Sequence, residues 1–282
     1  MSASIDSRWV TVQGLRIHCL AAGTGGPPVL LLHGGTIDCA AMTYLPAIQA
    51  LSANHRVFAP DLPGHGESDP PPPPHTTAAY LDLLRELVDA LHLPQAALVG
   101  FSITGTLALG FALQAPTRVQ RLVLVSSYGL GSATPYLALS YLFVRLPRLV
   151  DLVRRTARRD DGFLRLVLRL MLCDHRGLSP DLVVAIRREL ERHGAGEAWR
   201  LWQRSESGPA GLHTSYLHRL PELRVPTLIV HGACDRFVPV AWARRAHRLI
   251  PGSRLVVFPR CGHWPQQERP RDFVRVLAAF LG

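Results

Sequence analysis

A serine at the apex of a tight turn is the residue in this chain best placed to do chemistry. The apolar run Ala97-Leu98-Val99 ends in Gly100; Phe101 and Ser102 follow, and a helix-forming run, Ile103-Thr104-Gly105-Thr106-Leu107-Ala108, begins at once. A strand that feeds straight into a helix lifts the side chain between them clear of the sheet. The first amides of that helix point toward any negative charge that develops there. A serine alcohol is a weak nucleophile at neutral pH, so chemistry at Ser102 requires a base within hydrogen-bond reach and an acid to orient that base. Two polar residues stand shortly after other apolar runs: Asp235 in Ile229-Val230-His231-Gly232-Ala233-Cys234-Asp235, and His263 in Val257-Phe258-Pro259-Arg260-Cys261-Gly262-His263. A hydroxyl, a carboxylate and an imidazole suit nucleophilic attack on a carbonyl, provided the fold brings them together.

Residues this far apart in sequence meet only if a sheet lines them up. Residues 9–13 and 15–20 read as a hairpin about Gly14, and Val29 to His33 is a continuously apolar run of the kind a buried parallel strand needs. Residues 56–60, 121–125, 226–230 and 254–258 are further short strands. Helical spacing is predicted over 40–52, 76–91 (apolar at Leu84, Leu87, Val88 and Leu91), 103–114, 240–250 and 265–281. Strands alternating with helices make a doubly wound, mostly parallel sheet. From 128 to 219 the pattern is helical throughout. The expected organisation is therefore a core of residues 1–127 and 220–282, with an all-helical cap of residues 128–219 inserted after the sixth strand.

Four motifs in one order resemble those of the α/β-hydrolases. Gly100-x-Ser102 resembles the nucleophile elbow, G-x-S-x-G, although Thr104 holds the second glycine position and Gly105 comes one residue late. Gly232-x-x-Asp235-x-x-Val238-Pro239 resembles the acid motif, Gly262-His263 the base motif and His33-Gly34-Gly35 the oxyanion-loop motif, H-G-x. The resemblance implies the α/β-hydrolase fold, a catalytic triad of Ser102, Asp235 and His263, and an oxyanion hole of two backbone amides, Gly35 and Ile103. No cofactor is implied. The loop Asp61-x-x-Gly64-x-Gly66-x-Ser68 is similar to a structural loop of the family near its site. A carboxylate at the end of the strand before the cap is ruled out, because Ser126 and Ser127 stand there. Relatives with an aspartate nucleophile, the dehalogenases and epoxide hydrolases, are disfavoured by Ser102.

Composition narrows the remaining classes. The chain is 48% hydrophobic and 18% charged, enough to bury a sizeable core. No run of about 18 uncharged apolar residues would span a membrane. Residues 1–8 lack a signal-peptide pattern, so a cytoplasmic protein is the default expectation. The five cysteines are scattered without a C-x-x-C pair, so neither structural disulfides nor a zinc site is expected; Cys234 and Cys261 read as buried apolar side chains. His33 and His231 follow strands and read as loop supports, and His65 lies in the glycine-rich loop. No motif gives His92, His175, His193, His213, His218 or His247 an acid or a nucleophile, and no spacing suggests a metal. The net charge is +10 and every basic residue is arginine, with no lysine anywhere. This reads as a compositional bias and not as a nucleic-acid surface. The expected partner is a small-molecule substrate, an apolar acyl compound in the first instance; a homodimer is left open. The region expected to form the cap interleaves arginine with leucine. Because arginine is the base used everywhere, an ordinary solvated face is preferred there to a lid that seeks a membrane.

Three functions fit these residues. The first is a serine hydrolase cleaving a carboxylic ester through an acyl-enzyme. The second is a carbon–carbon bond hydrolase: Asp235-Arg-Phe-Val-Pro and Cys261-Gly-His-Trp-Pro-Gln look like the meta-cleavage-product hydrolases. Those enzymes carry an asparagine before the nucleophile, where this chain has Phe101, and use a cap arginine for a dienoate carboxylate, a role open to Arg192. Phe101, Trp264 and Arg192 are thus the candidate pocket residues. The third is a non-catalytic small-molecule receptor on the same fold.

Overall fold

The computed structural model describes residues 4–173 and 178–282, so His175 lies outside the described residues. Strands β1 (Ile5–Val12) and β2 (Leu15–Ala22) form an antiparallel hairpin whose turn residues, Gln13 and Gly14, have φ of 52° and 79°. Two successive positive φ angles match the right-handed twist of the strands they join. The remaining strands are β3 (Pro28–Leu32), β4 (Arg56–Pro60), β5 (Ala96–Phe101), β6 (Val119–Val125), β7 (Thr227–Gly232) and β8 (Arg254–Phe258). They lie in the order β1-β2-β4-β3-β5-β6-β7-β8, parallel from β4 onward and antiparallel at the β1–β2 and β2–β4 pairings. The chain leaves β3 toward β4 on one side and returns to β5 on the other. The loops after β3 and β5 therefore diverge and open a crevice at the carboxyl ends of the strands.

Helices α1 (Ala40–Leu51), α2 (Thr77–Ala90) and α3 (Ile103–Gln114) belong to the first half of the sheet. Among the described residues five α-helices then lie between β6 and β7: α4 (Leu137–Phe143), α5 (Pro147–Arg159), α6 (Asp161–Met171), α7 (Pro180–Glu191) and α8 (Glu197–Glu206). Helices α9 (Val240–Leu249), α10 (Pro265–Glu268) and α11 (Pro270–Leu281) complete the chain. One helix was expected over 265–281. It breaks at Arg269 because Pro270 has no N–H to continue the ladder and instead opens a new first turn.

Alternation along β3 divides the core. Val29 and Leu31 face a cluster with Tyr44, Ile48, Phe273 and Leu277, whereas Leu30 and Leu32 face Leu84, Leu107 and Phe111. With both faces covered, β3 and β5 are buried along their whole length, which is why they read as unbroken apolar runs. Each such leucine contributes about 1.5–3 kcal/mol on burial. The segment between β6 and β7 is tied to this core. Trp202 of α8 stacks on Tyr80 at 4.2 Å and donates its Nε1–H to Thr77 Oγ1 at 3.0 Å.

Candidate active site

Ser102 sits between β5 and α3 with φ 57° and ψ −121°, a conformation that non-glycine residues rarely adopt. Three backbone bonds hold it there. Its N–H donates to Val125 O at 2.9 Å, and its carbonyl accepts from Gly105 at 3.1 Å and Tyr128 at 3.0 Å. Both nearby glycines are sterically required. A Cβ on Gly100 would lie 2.7 Å from Gly105 Cα, and one on Gly105 would lie 2.1 Å from Ser127 Oγ. The close approach that the family motif assigns to the second residue after the serine thus falls at the third. Thr104 is accommodated in the vacated position because its hydroxyl accepts the Phe101 N–H at 3.0 Å and donates toward Leu32 O and Phe101 O, each at 2.9 Å.

The loops after β7 and β8 bring two side chains to Ser102. His263 Nε2 lies 2.9 Å from Ser102 Oγ, and its Nδ1 lies 2.8 Å from Asp235 Oδ2. The other Asp235 oxygen accepts the Phe237 and Val238 amides, both at 2.9 Å. Burial pushes the Asp235 carboxyl up, but His263, His231 and the Val238 amide outweigh it and hold it below the usual carboxylate range. His231 Nε2 donates to Val238 O at 2.9 Å, so this histidine braces the acid loop. The base loop is held from two sides. The His263 N–H donates to Met171 O at the end of α6 at 2.7 Å, and the Gly262 N–H donates to Glu268 Oε1 at 2.6 Å.

The loop after β3 carries a carboxylate that motif reading missed. Asp38 Oδ2 accepts the Gly34 N–H at 2.7 Å, and Oδ1 accepts the Cys39 N–H and the Thr43 hydroxyl at 2.8 and 2.7 Å. Trp264 Nε1 donates to the same hydroxyl at 3.1 Å. A chain of bonds therefore links the residue after His263 to the loop that holds Gly35. Burial pushes the Asp38 carboxyl up to about 7 against those donors. The signal in the sequence was a single acid between two apolar elements, residues 28–32 and 40–51. Ile103 opens α3, so its N–H has no intrahelical partner and is free to face an anion. Trp199 of α8 lies against Gly35: a Cβ there would come within 2.0 Å of its ring.

The three candidate pocket residues are placed differently. Phe101 is buried, with its ring 5.3 Å from that of His263 and 6.2 Å from that of Trp264. Arg192 pairs with Glu189 at 2.6 Å, and Glu189 Oε1 accepts the Gly66 N–H at 3.1 Å. Its bonded partner therefore faces the glycine-rich loop and not Ser102. In that loop Asp61 binds His18 Nδ1 at 2.8 Å and the Ala40 and Glu67 amides, which suits a structural role. His33 Nε2 accepts the Leu62 N–H at 2.9 Å, so it supports the same loop. Cys261 is buried as expected, but Cys234 is exposed because its turn projects beyond β7. Among the described residues no group of three or more histidine, cysteine or acidic side chains could hold a metal ion.

A family model described as alpha/beta hydrolase fold matches residues 27–270. The chain belongs to the α/β-hydrolase fold family. It is 32% identical to a 2-hydroxy-6-oxononadienedioate/2-hydroxy-6-oxononatrienedioate hydrolase of Cupriavidus pinatubonensis, over 98% of this chain and 95% of that one. It is 31% identical to an uncharacterised protein of Mycobacterium tuberculosis, over 96% of this chain and 80% of that one. Among solved structures it is similar to the 2-hydroxy-6-oxo-6-phenylhexa-2,4-dienoate hydrolase of Rhodococcus sp. strain RHA1, with a TM-score of 0.81, 26% identity and 99% of each chain covered.

Proposed function

We propose that this chain is a serine hydrolase in which Ser102 attacks a substrate carbonyl under a helical cap formed by residues 128–219. The observation that carries this reading is the unbroken relay Asp235–His263–Ser102, with contacts of 2.8 and 2.9 Å at a strained elbow. His263 takes the Ser102 proton as Oγ bonds to the carbonyl carbon, and Asp235 holds the imidazole in the tautomer that allows this. The amides of Gly35 and Ile103 receive the oxyanion; a donor of this kind is worth about 3 kcal/mol of barrier. The leaving group departs with its electron pair and the proton held by His263. Water, activated by the same histidine, then releases the acyl group.

Two bond types are open to this machinery, and the relatives favour the carbon–carbon bond over the ester. The names of relatives that match nearly the whole chain support hydrolysis of a 2-hydroxy-6-oxo-dienoate, and this replaces the neutral ester as the first reading. An ester is the second reading, and a specific observation favours it. A dienoate carboxylate needs a cation, yet of the arginines on and beside α7 and α8, Arg187, Arg192 and Arg200 are paired with Asp161, Glu189 and Glu197, and Arg188, without a carboxylate partner among the described residues, is exposed. The two readings separate in one assay, in which the purified chain is given a dienoate, followed by its absorbance, and an aryl ester. The Ser102→Ala variant serves as the blank and should lose both activities and fluorophosphonate labelling. The carbon–carbon reading expects kcat/KM at least about tenfold higher on the dienoate, a difference of about 1.4 kcal/mol in barrier. The reverse order assigns the ester. No turnover and no labelling would leave a binding protein.

A further inference from the structure

The outer side of the helical segment carries apolar side chains that none of the described residues covers. Of the eleven exposed large apolar side chains among the described residues, nine fall between Tyr136 and Val184, so the exposure is local and not scattered. Leu139 and Leu142 stand three residues apart on α4, Leu149 and Leu152 three apart on α5, and Leu146 lies in the turn between them; all five are 42–67% exposed. That spacing keeps side chains on one face of a helix. On α6, which packs against α5, Leu166 and Leu170 stand one turn apart and are 57% and 52% exposed. The inward faces of the same helices are already occupied, with Ala157, Leu164 and Leu168 buried. Each of α5 and α6 thus has one apolar face committed to packing and a second turned outward.

Charge identifies what would cover the second face. Residues 137–171 hold eight arginines against three aspartates. Arg148, Arg155, Arg158, Arg159 and Arg169 are exposed, and none is paired with a carboxylate among the described residues. A symmetric dimer through this face would set the arginines of one copy against those of the other, at a like-charge cost. An anionic lipid surface removes that conflict. Leucines enter the boundary between headgroups and acyl chains, while arginines extend to the phosphates on flexible stems. No described helix is long and apolar enough to cross a membrane, so such a contact lies on the surface. We propose that the outward face of α4, α5 and α6 is a docking surface for an anionic lipid bilayer. The solvated-face reading of the sequence does not account for leucines on the outside. Helix α6 also ends at the site, where Met171 O accepts the His263 N–H at 2.7 Å, so docking would hold the candidate triad close to apolar molecules dissolved in lipid.

The test is co-sedimentation of the full chain with phosphatidylcholine vesicles that contain or lack phosphatidylglycerol, with no substrate present. The proposed catalysis and the proposed docking can therefore fail separately. Binding should appear with the anionic vesicles, be at least about tenfold weaker without phosphatidylglycerol, and fall as salt shortens the screening length. Arg155→Gln/Arg159→Gln should lower the partition coefficient about thirtyfold. Leu149→Ser/Leu152→Ser should lower it at least about tenfold. Both substitutions lie on exposed positions, so unchanged thermal melting will show that the variants fold. The proposal is overturned if the parent chain stays in the supernatant, or if both variants bind as it does. It is equally overturned if the parent is a dimer that the leucine variant dissociates while neither binds vesicles.

Discussion

Both Asp235 oxygens are engaged: Oδ1 takes the Phe237 and Val238 amides, and Oδ2 takes His263 Nδ1, with His231 Nε2 3.4 Å away. An amide in its place must either turn its NH2 toward two backbone donors or turn it toward the imidazole. Asp235→Asn should therefore fix the wrong tautomer of His263 and lower kcat about 10⁴-fold at pH 7, with the fold retained. Steady-state kinetics on the better of the two substrates, with a thermal melt as control, checks this; near-normal turnover would pass the role to another carboxylate. The residues of this relay were legible because each stands shortly after a strand, so the sheet fixes where it ends up. Arg192 was not legible in the same way. Its partner Glu189 lies three residues earlier, in the last turn of α7, and in a chain whose every basic residue is arginine, nothing in sequence marks which one faces a substrate. Thr104 gives the opposite lesson. It breaks a motif in letters, yet its hydroxyl bonds at Phe101 and Leu32 restore the turn that the motif describes.

At the scale of elements, the proposed mechanism asks the segment from β3 to α1 to hold one amide, that of Gly35, where an oxyanion would form. Gly35 lies in neither strand nor helix, and Asp38 ties down the loop on either side of it through Gly34, Cys39 and Thr43. Asp38→Ala would leave three buried donors unmatched at about 1–3 kcal/mol each. The expected result is a lower melting temperature and a kcat reduced about 10- to 100-fold with KM little changed, because the loop positions the oxyanion donor and does not itself bind the substrate. Asp38→Asn restores one acceptor oxygen and should recover part of kcat. A loss confined to stability, with kcat intact in the folded fraction, would show that Asp38 is structural alone. The strand and helix pattern was readable throughout the sheet because period-two and 3.6-residue spacings are local properties. The orientation of α4–α6 was not, since a helix with leucine on two faces does not say which face turns inward.

The whole molecule responds to acid through histidines locked inside it. Burial lowers His65 from its ordinary value to about 3, with His33 close by, and burial also lowers His33 and His231. Between about pH 6.5 and pH 3 the unfolded chain carries a proton on His65 that the folded chain refuses. Stability therefore falls as pH falls, at up to about 1.4 kcal/mol per pH unit for each such group. His18 has the opposite sign. Its hydrogen bond to Asp61 raises it, so its contribution is complete below about pH 6.5 and fades as pH rises through the folded value. Asp38, pushed up to about 7, and Glu189, also raised by burial, take up protons on folding and oppose this fall together with His18, whereas His75 is lowered by burial and adds to it. Four lowered histidines against three raised groups still set the direction: urea midpoints should drop from pH 7 to pH 5, by less than the histidines alone would give. Among the described residues His65 has only Pro63 O at 3.2 Å as a partner for Nδ1, and its Nε2 is buried without one, so His65→Gln removes a titrating group without breaking a network. That variant should flatten the slope between pH 6.5 and pH 5 by up to about 1.4 kcal/mol per unit, whatever its stability at pH 7. A parent chain most stable near pH 5, or a variant with the parent's slope, would show that the protons enter elsewhere.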